Sequence, residues 1–199
     1  MNIFRGIRHE MLGAVFLLRN LRGCHRYRMI PLPEERQVSF ALTGAKPELL
    51  GQLQKLHIEL RQGRRLNTWR LIMLYLAGNR LCSVALDRDR NLLGFQLLYF
   101  QEQEWKQGII HEAYIGVKPE YRGLGIATAL RLHSARHLAG QGRLSGISSQ
   151  AGPENKASLR SAEKAGFNIV NKQQHRNRDE TGTVLQLYCS LKAPDSYES

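Results

Sequence analysis

Near the start of the chain apolar residues recur every three or four positions: Phe4, Ile7, Met11, Ala14, Leu18 and Leu21. That period lays one apolar face along a helix over residues 3–21. Arg5, Arg8, Arg19 and Arg22 flank it, and Arg26 and Arg28 follow. Residues 37–43 read as a first strand. Pro47 then opens a helix to about residue 61, with Leu49, Leu50, Leu53, Leu56 and Leu60 on one side. A second helical run covers residues 68–76. Residues 81–86 and 92–100 read as strands around the polar turn Asp87-Arg-Asp-Arg-Asn91. Further strands are expected at 108–117, 144–149, 168–175 and 184–191, and helices at 125–139 and 155–165. Gly152-Pro153 and residues 179–182 carry turn chemistry. After the first helix the order is βααβββαβαββ, which predicts a mixed α/β sheet with helices on both faces.

One junction in this pattern carries chemistry. The strand ending at Val117 hands over to the helix through Lys-Pro-Glu-Tyr-Arg122-Gly123-Leu124-Gly125-Ile126-Ala127. A helix N-terminus leaves amides unpaired and carries a positive dipole end, and glycines let backbone approach an anion closely. An isolated Arg-Gly-x-Gly is a weak signal, because turns use glycine for geometry alone.

Composition changes the picture in one respect. The 199 residues suit one domain with an extension, and 42% hydrophobic with 23% charged is ordinary for a globular protein. The net charge of +12 is not ordinary, and residues 1–70 hold 13 Lys/Arg against 5 Asp/Glu. The surplus points to an anionic partner for the N-terminal third. No basic stretch is interleaved with aromatics, so no specific nucleic acid is expected. Cys24, Cys82 and Cys189 are far apart and no Cys/His cluster has metal-ligand spacing, so free thiols and no metal are expected. The apolar run 11–18 is too short to span a bilayer, and no small-x-small cleavage site follows it. The chain is therefore expected to be cytoplasmic, with two readings for its first helix. It docks on the rest of the protein or on a second copy, as in a homodimer, or residues 1–28 lie on an anionic membrane surface at the inner face.

The stretch Val117-x-Pro-x-Tyr-Arg-Gly-x-Gly-Ile-Ala resembles the acyl-CoA-binding signature of the GCN5-related N-acetyltransferase (GNAT) superfamily. A second block, Asn155-Lys-Ala-Ser-Leu-Arg-Ser-Ala-Glu-Lys-Ala-Gly166-Phe167, is similar to the later motif of that superfamily. The resemblance covers roughly residues 37–191 and implies a GNAT-like, mostly antiparallel central sheet. It divides the chain into a basic extension (1–36), an acyltransferase domain (37–193) and a tail (194–199). It implies acetyl-CoA or another acyl-CoA as co-substrate, held by the backbone of residues 122–127 (Arg122, Gly123, Leu124, Gly125, Ile126, Ala127), with an amide from Ile115, Gly116 or Val117 facing the thioester. Asn155 is a natural helix cap, and by resemblance it and Ser158 lie near the pantetheine arm. The tyrosine that many members use to protonate the leaving thiolate falls at Ala162, a departure that leaves the proton to water or to another residue, with Tyr188 and Tyr114 conceivable.

The base is open between His111 and Glu112, neighbours that a strand points to opposite faces. Lys156, Arg160 and Lys164 are candidates for the cofactor's 3′-phosphate, and Trp69, Tyr99 and Trp105 for the acceptor site. The reading is an N-acetyltransferase acting on a primary amine of a small molecule, amino sugar or peptide, with an anionic acceptor suggested by charge. The alternatives are a non-catalytic acyl-CoA sensor and a basic membrane-associated protein.

Overall fold

A computed structural model describes residues 3–176 and 181–192, with side chains from 10 to 173 and 183 to 192. Helix α1 (Ile3–Arg26) precedes strands β1 (Glu35–Arg36) and β2 (Ala41–Gly44). Helices α2 (Leu50–Leu60) and α3 (Thr68–Leu81) follow, then β3 (Cys82–Leu86), β4 (Leu92–Tyr99) and β5 (Ile109–Val117). Helix α4 (Ile126–Gly140), β6 (Gly146–Ala151), α5 (Lys156–Lys164), β7 (Asn168–Arg176) and β8 (Thr181–Ser190) complete the chain. The eight strands form one sheet in the order β1-β2-β3-β4-β5-β6-β8-β7. Only β5 and β6 run parallel. The expected mixed, mostly antiparallel sheet with helices on both faces is the fold.

Central strand β4 shows how the layers divide. It is buried along nearly its whole length, so its residues alternate between two covered faces. Phe95 meets His57 of α2, and Tyr99 meets Phe16 of α1 edge-on at 5.4 Å. Gln96, on the opposite face, accepts a 2.7 Å hydrogen bond from Ser134 of α4. Helices α1–α3 thus cover one face, and α4 with α5 covers the other.

Helix α1 is docked. Phe16, Leu17 and Leu21 pack on the main core, and Cys24, Tyr27 and Met29 are buried in it. Gly13 lies against Trp69, and Gly23 lies so close to Phe100 that a Cβ would collide with its ring. Asn20, fully buried, accepts from the Phe100 amide at 2.7 Å and donates to the Phe16 carbonyl at 2.9 Å. The apolar spacing had pointed to this helix, but it runs on to Arg26 rather than stopping near 21. Phe4, Ile7, Arg5 and Arg8 belong to the helix backbone, and their side chains lie outside the described residues. Among the described residues no helix is long and apolar enough to cross a membrane.

Other boundaries moved for identifiable reasons. The strand expected at 37–43 is a hairpin: Gln37 donates to the Phe40 carbonyl across a turn whose Val38 is 95% exposed, and β1 and β2 flank it. Pro47 opens a single 3-10 turn before α2 begins. Helix α3 continues to Leu81, because Met73, Leu74, Ala77 and Leu81 keep helical spacing against the core. Of the turn expected at 179–182, Asp179 and Glu180 lie outside the described residues and Thr181 and Gly182 belong to β8. The tail at 194–199 also lies outside them.

Candidate functional site

The cleft forms where the parallel pair comes apart. Strands β5 and β6 pair from Ile109–Gly146 to Glu112–Ser149 and no further. Strand β5 runs on to Val117, held on its other side by β4. The Lys118 amide donates to the Leu93 carbonyl of β4 at 2.8 Å. Amide directions alternate along a strand, so Gly116 also faces β4, and the amides of Ile115 and Val117 face the open edge. Ala113 is an extra residue opposite Leu97 and Leu98, a bulge that re-aims the side chains beyond it.

Above this edge the glycine loop wraps the start of α4. Gly125 caps the helix at φ 78°, and Gly123 sits at φ 82°. Both conformations favour glycine, and at both a Cβ would project into empty space. The first backbone bond into α4 goes from Ala129 to the Gly125 carbonyl. The amides of Ile126, Ala127 and Thr128 therefore lack helix partners, and among the described residues those of Gly123, Leu124 and Gly125 donate to no carbonyl. Six adjacent donors at a helix N-terminus make an anion cradle. Ile126 and Leu130 fix its position by packing on Leu42, Ala85, Leu93 and Val117. Leu124 points to solvent, 63% exposed, and only its backbone belongs to the cradle.

Cradle and open edge line one cleft of about 610 Å³. Its far wall is α5, capped by Asn155, whose side chain accepts from the Ser158 amide at 3.1 Å. Asn155, Ser158, Ser161, Arg160 and Lys164 line the cleft, as do Arg122, Leu60, Arg61 and Tyr114. Lys156 does not line it. Ala162 is 1% exposed in the main core, with no face on the cleft.

Arg131 joins the walls. Fully buried in α4, it donates through Nε and Nη2 to both carboxylate oxygens of Glu112 on β5, at 2.9 and 2.7 Å. It also donates to the Ser158 carbonyl at 2.9 Å, to the Ser158 hydroxyl at 3.2 Å, and to the Ser161 hydroxyl. The sequence reading passed over Arg131. The available signal was an arginine one residue from Leu130 and three from Ser134, on the inner side of a helix facing a strand that carries Glu112.

The two base candidates are separated as alternation requires. Glu112 faces α4, and Gln96 and Ser149 also donate to its carboxylate, at 2.7 and 2.8 Å. Burial alone would raise its pKa, but Arg131, Gln96 and Ser149 together hold it below the ordinary value. Its oxygens are occupied by structural partners. His111 lies on the other face, beside the ring of Tyr99 at 5.6 Å. Ser148 donates to Glu104 at 2.9 Å, so its oxygen accepts from His111 Nδ1, also at 2.9 Å. That arrangement places the proton on Nδ1 and leaves the Nε2 lone pair without a partner among the described residues. Burial pushes the His111 pKa down to about 4, against the opposing pull of the Glu112 charge.

These shifts set an expected pH response. Below about pH 6.5 the unfolded chain takes a proton on His111 that the native state refuses, so stability falls with acidity down to about pH 4. By pH 5 the loss is about 2 kcal/mol. Denaturant titrations of wild type and His111→Gln at pH 7 and pH 5 check this: the variant's stability should change less. Glu112 acts at lower pH, where its contribution is complete above about 4.3 and fades as pH falls through the depressed native value.

The tyrosine candidates also part. Tyr188 donates to the Ser145 carbonyl at 3.0 Å, at the end of β6 away from the cleft. Tyr114 lines the cleft, its ring against His57 at 5.0 Å and Phe95 at 5.1 Å. Its hydroxyl has no partner among the described residues and lies 2.7 Å from where a Gly116 Cβ would stand. Burial raises its pKa to about 12, with Arg61 and Arg122 opposing, so it stays protonated. Trp69 donates to Glu10 of α1, and Trp105 accepts from the Tyr27 hydroxyl through its carbonyl; neither lines the cleft. The three cysteines are free and buried, each thiol pushed up by burial and so protonated.

An open strand edge thus stands beside a glycine-rich helix start, and the parting of the strands is a feature the sequence did not show. Residues 51–167 match the profile of the Acetyltransferase (GNAT) family, and the chain belongs to that family. No curated protein matches the sequence. Among solved structures, NAA60 of Arabidopsis thaliana in complex with acetyl-CoA superposes with a TM-score of 0.68 at 17% identity, over 76% of this chain and 99% of that one. The ribosomal-protein-S18-alanine N-acetyltransferase of Escherichia coli gives 0.60 at 16% identity, over 79% and 97%. A GNAT-family acetyltransferase of Streptococcus pneumoniae gives 0.64 at 15%, over 76% and 99%. At such identities the likeness is one of fold.

Proposed function

We propose that the chain is an acetyl-CoA-dependent N-acetyltransferase that acetylates a primary amine by direct attack in a ternary complex. The observation that carries this reading is the continuity of the anion cradle at Gly123–Thr128 with the free amide edge at Ile115 and Val117. A donor with a pyrophosphate at one end and a thioester carbonyl at the other finds donors for both. The solved relatives with bound acetyl-CoA, NAA60 among them, support that choice of donor.

The coenzyme supplies an activated acyl group, and the protein supplies position and proton paths. Amides of the cradle hold the phosphates, with Asn155 and Ser158 bordering the arm. An amide at Ile115 or Val117 donates to the carbonyl as negative charge develops there. The Tyr114 hydroxyl, protonated and unpartnered, donates to the departing sulfur in place of the missing tyrosine at 162. Neither His111 nor Glu112 lines the cleft, so the amine's proton reaches His111 Nε2, neutral and unpartnered among the described residues, through water, in preference to the fully engaged Glu112. Arg61 stands over Tyr114 at 5.7 Å without a carboxylate partner among the described residues. With Arg64 and Arg65 beside it in sequence, it favours an acceptor carrying negative charge near its amine.

Acetyl-CoA should raise the melting temperature, and an amine panel should then release free thiol. Tyr114→Phe should lower kcat about a hundredfold while leaving the acetyl-CoA melting shift intact. A missing melting shift removes the donor assignment. A shift with no thiol release from any amine replaces the enzyme with a binding protein.

A further inference from the structure

Helix α1 has two apolar faces, and the enzyme uses only one. Gly13, Phe16, Leu17, Asn20 and Cys24 point into the fold. Met11, Val15, Leu18, Arg22 and Arg26 fall within about 80° of one another on the opposite side of the helix. Met11 is 64% exposed, and Val15 and Leu18 are each 51% exposed, with Leu12 beside them at 60%. Arg22 and Arg26 continue the same line, exposed, with the Arg26 guanidinium 5.8 Å from the Tyr27 ring and 5.7 Å from the Trp105 ring, and Arg28 follows. Among the described residues none of these three arginines has a carboxylate within ion-pair distance. The outer face is therefore apolar for two turns and basic for the next. Docking on the fold and binding a surface are not rival uses of this helix, since each takes its own side.

We propose that the outer face of α1 seats the protein on an anionic lipid bilayer, with Met11, Leu12, Val15 and Leu18 entering the headgroup–acyl boundary and Arg22, Arg26 and Arg28 on the phosphates. Charge decides for lipid against a second copy. An antiparallel pairing of two such faces sets the arginines of each copy against the apolar turns of the other, and a parallel pairing sets arginine against arginine. Four apolar side chains also fall well short of the roughly 1,200–2,000 Å² that a specific protein interface buries. A bilayer offers depth to the apolar turns and phosphate to the basic ones, and interfacial helices of this kind lie flat rather than cross. Because the inner face is anchored through Asn20 and Gly23, the helix would hold the whole fold in one orientation on the membrane.

Full-length protein should co-sediment at low salt with vesicles containing about one-third anionic lipid, and at least about tenfold more weakly with purely zwitterionic vesicles. Val15→Glu/Leu18→Glu should abolish sedimentation, and Arg22→Glu/Arg26→Glu should lower it about tenfold or more, with the acetyl-CoA melting shift unchanged in both. These positions are exposed, so the variants keep the fold, and the melting shift verifies it. Failure of wild type to sediment, or equal sedimentation by the Glu variants, overturns the proposal. So does a dimer in size-exclusion chromatography that the same variants dissolve, which would assign the face to a second copy.

Discussion

Arg131→Ala is expected to cost the fold about 3–5 kcal/mol. The substitution leaves the Glu112 carboxylate buried with only Gln96 and Ser149 as donors, and takes one donor each from the Ser158 carbonyl and the Ser158 and Ser161 hydroxyls of α5. Both partners of the pair are nearly inaccessible, at 1% and 2% side-chain exposure, so water cannot compensate. Urea denaturation should show a clear drop in midpoint with an unchanged slope. Acetyl-CoA affinity should fall as well, because the same guanidinium ties α5 to β5 across the cleft. Arg131→Lys keeps the charge but cannot make the fork, and should fall between the two. A variant as stable as wild type would show that the network is dispensable.

Valine at Gly125, or at Gly123, should do the reverse: modest harm to the fold and severe harm to donor binding. Each glycine has positive φ, a conformation that costs a β-carbon residue about 1–2 kcal/mol. No neighbouring atom lies within 4 Å of where a Cβ would stand at either position, so no steric clash adds to that. On the proposed reading, the space a side chain would take is the space the cradle keeps for phosphate. Losing two amide–phosphate bonds, each worth about 1.5–3 kcal/mol, weakens acetyl-CoA binding about a hundredfold or more. KM for acetyl-CoA should rise by that factor while the thermal midpoint without ligand moves only a few degrees. An unchanged KM would detach the loop from the donor.

The local parts of this molecule were legible in sequence, because a strand, a loop and a helix start are contiguous. Gly123 and Gly125 show their conformation through residue type alone, and Asn155 shows its cap through the helix that follows. What could not be read were pairings between distant segments. The parting of β5 and β6 depends on where register ends, and no single strand encodes that. Alternation correctly required His111 and Glu112 to separate, but which faced which layer depended on α4. Arg131 stayed hidden because a charged residue on an inner helix face reads as exposed until its partner 19 positions away is known. Ala162 looked like a gap in the chemistry, whereas the protein buries that position in the main core, where a tyrosine would have no face on the cleft.

The bond from Phe100 to Asn20 spans 80 residues of chain. A ribosome adding about 5–20 residues per second takes roughly 4–16 seconds to cover that distance. Until α3 follows, 59 residues after Glu10, α1 has left the exit tunnel with its inner side as bare as its outer one, and the strand it leans on comes later still. The nascent chain must shelter a doubly apolar helix before there is a fold to receive it.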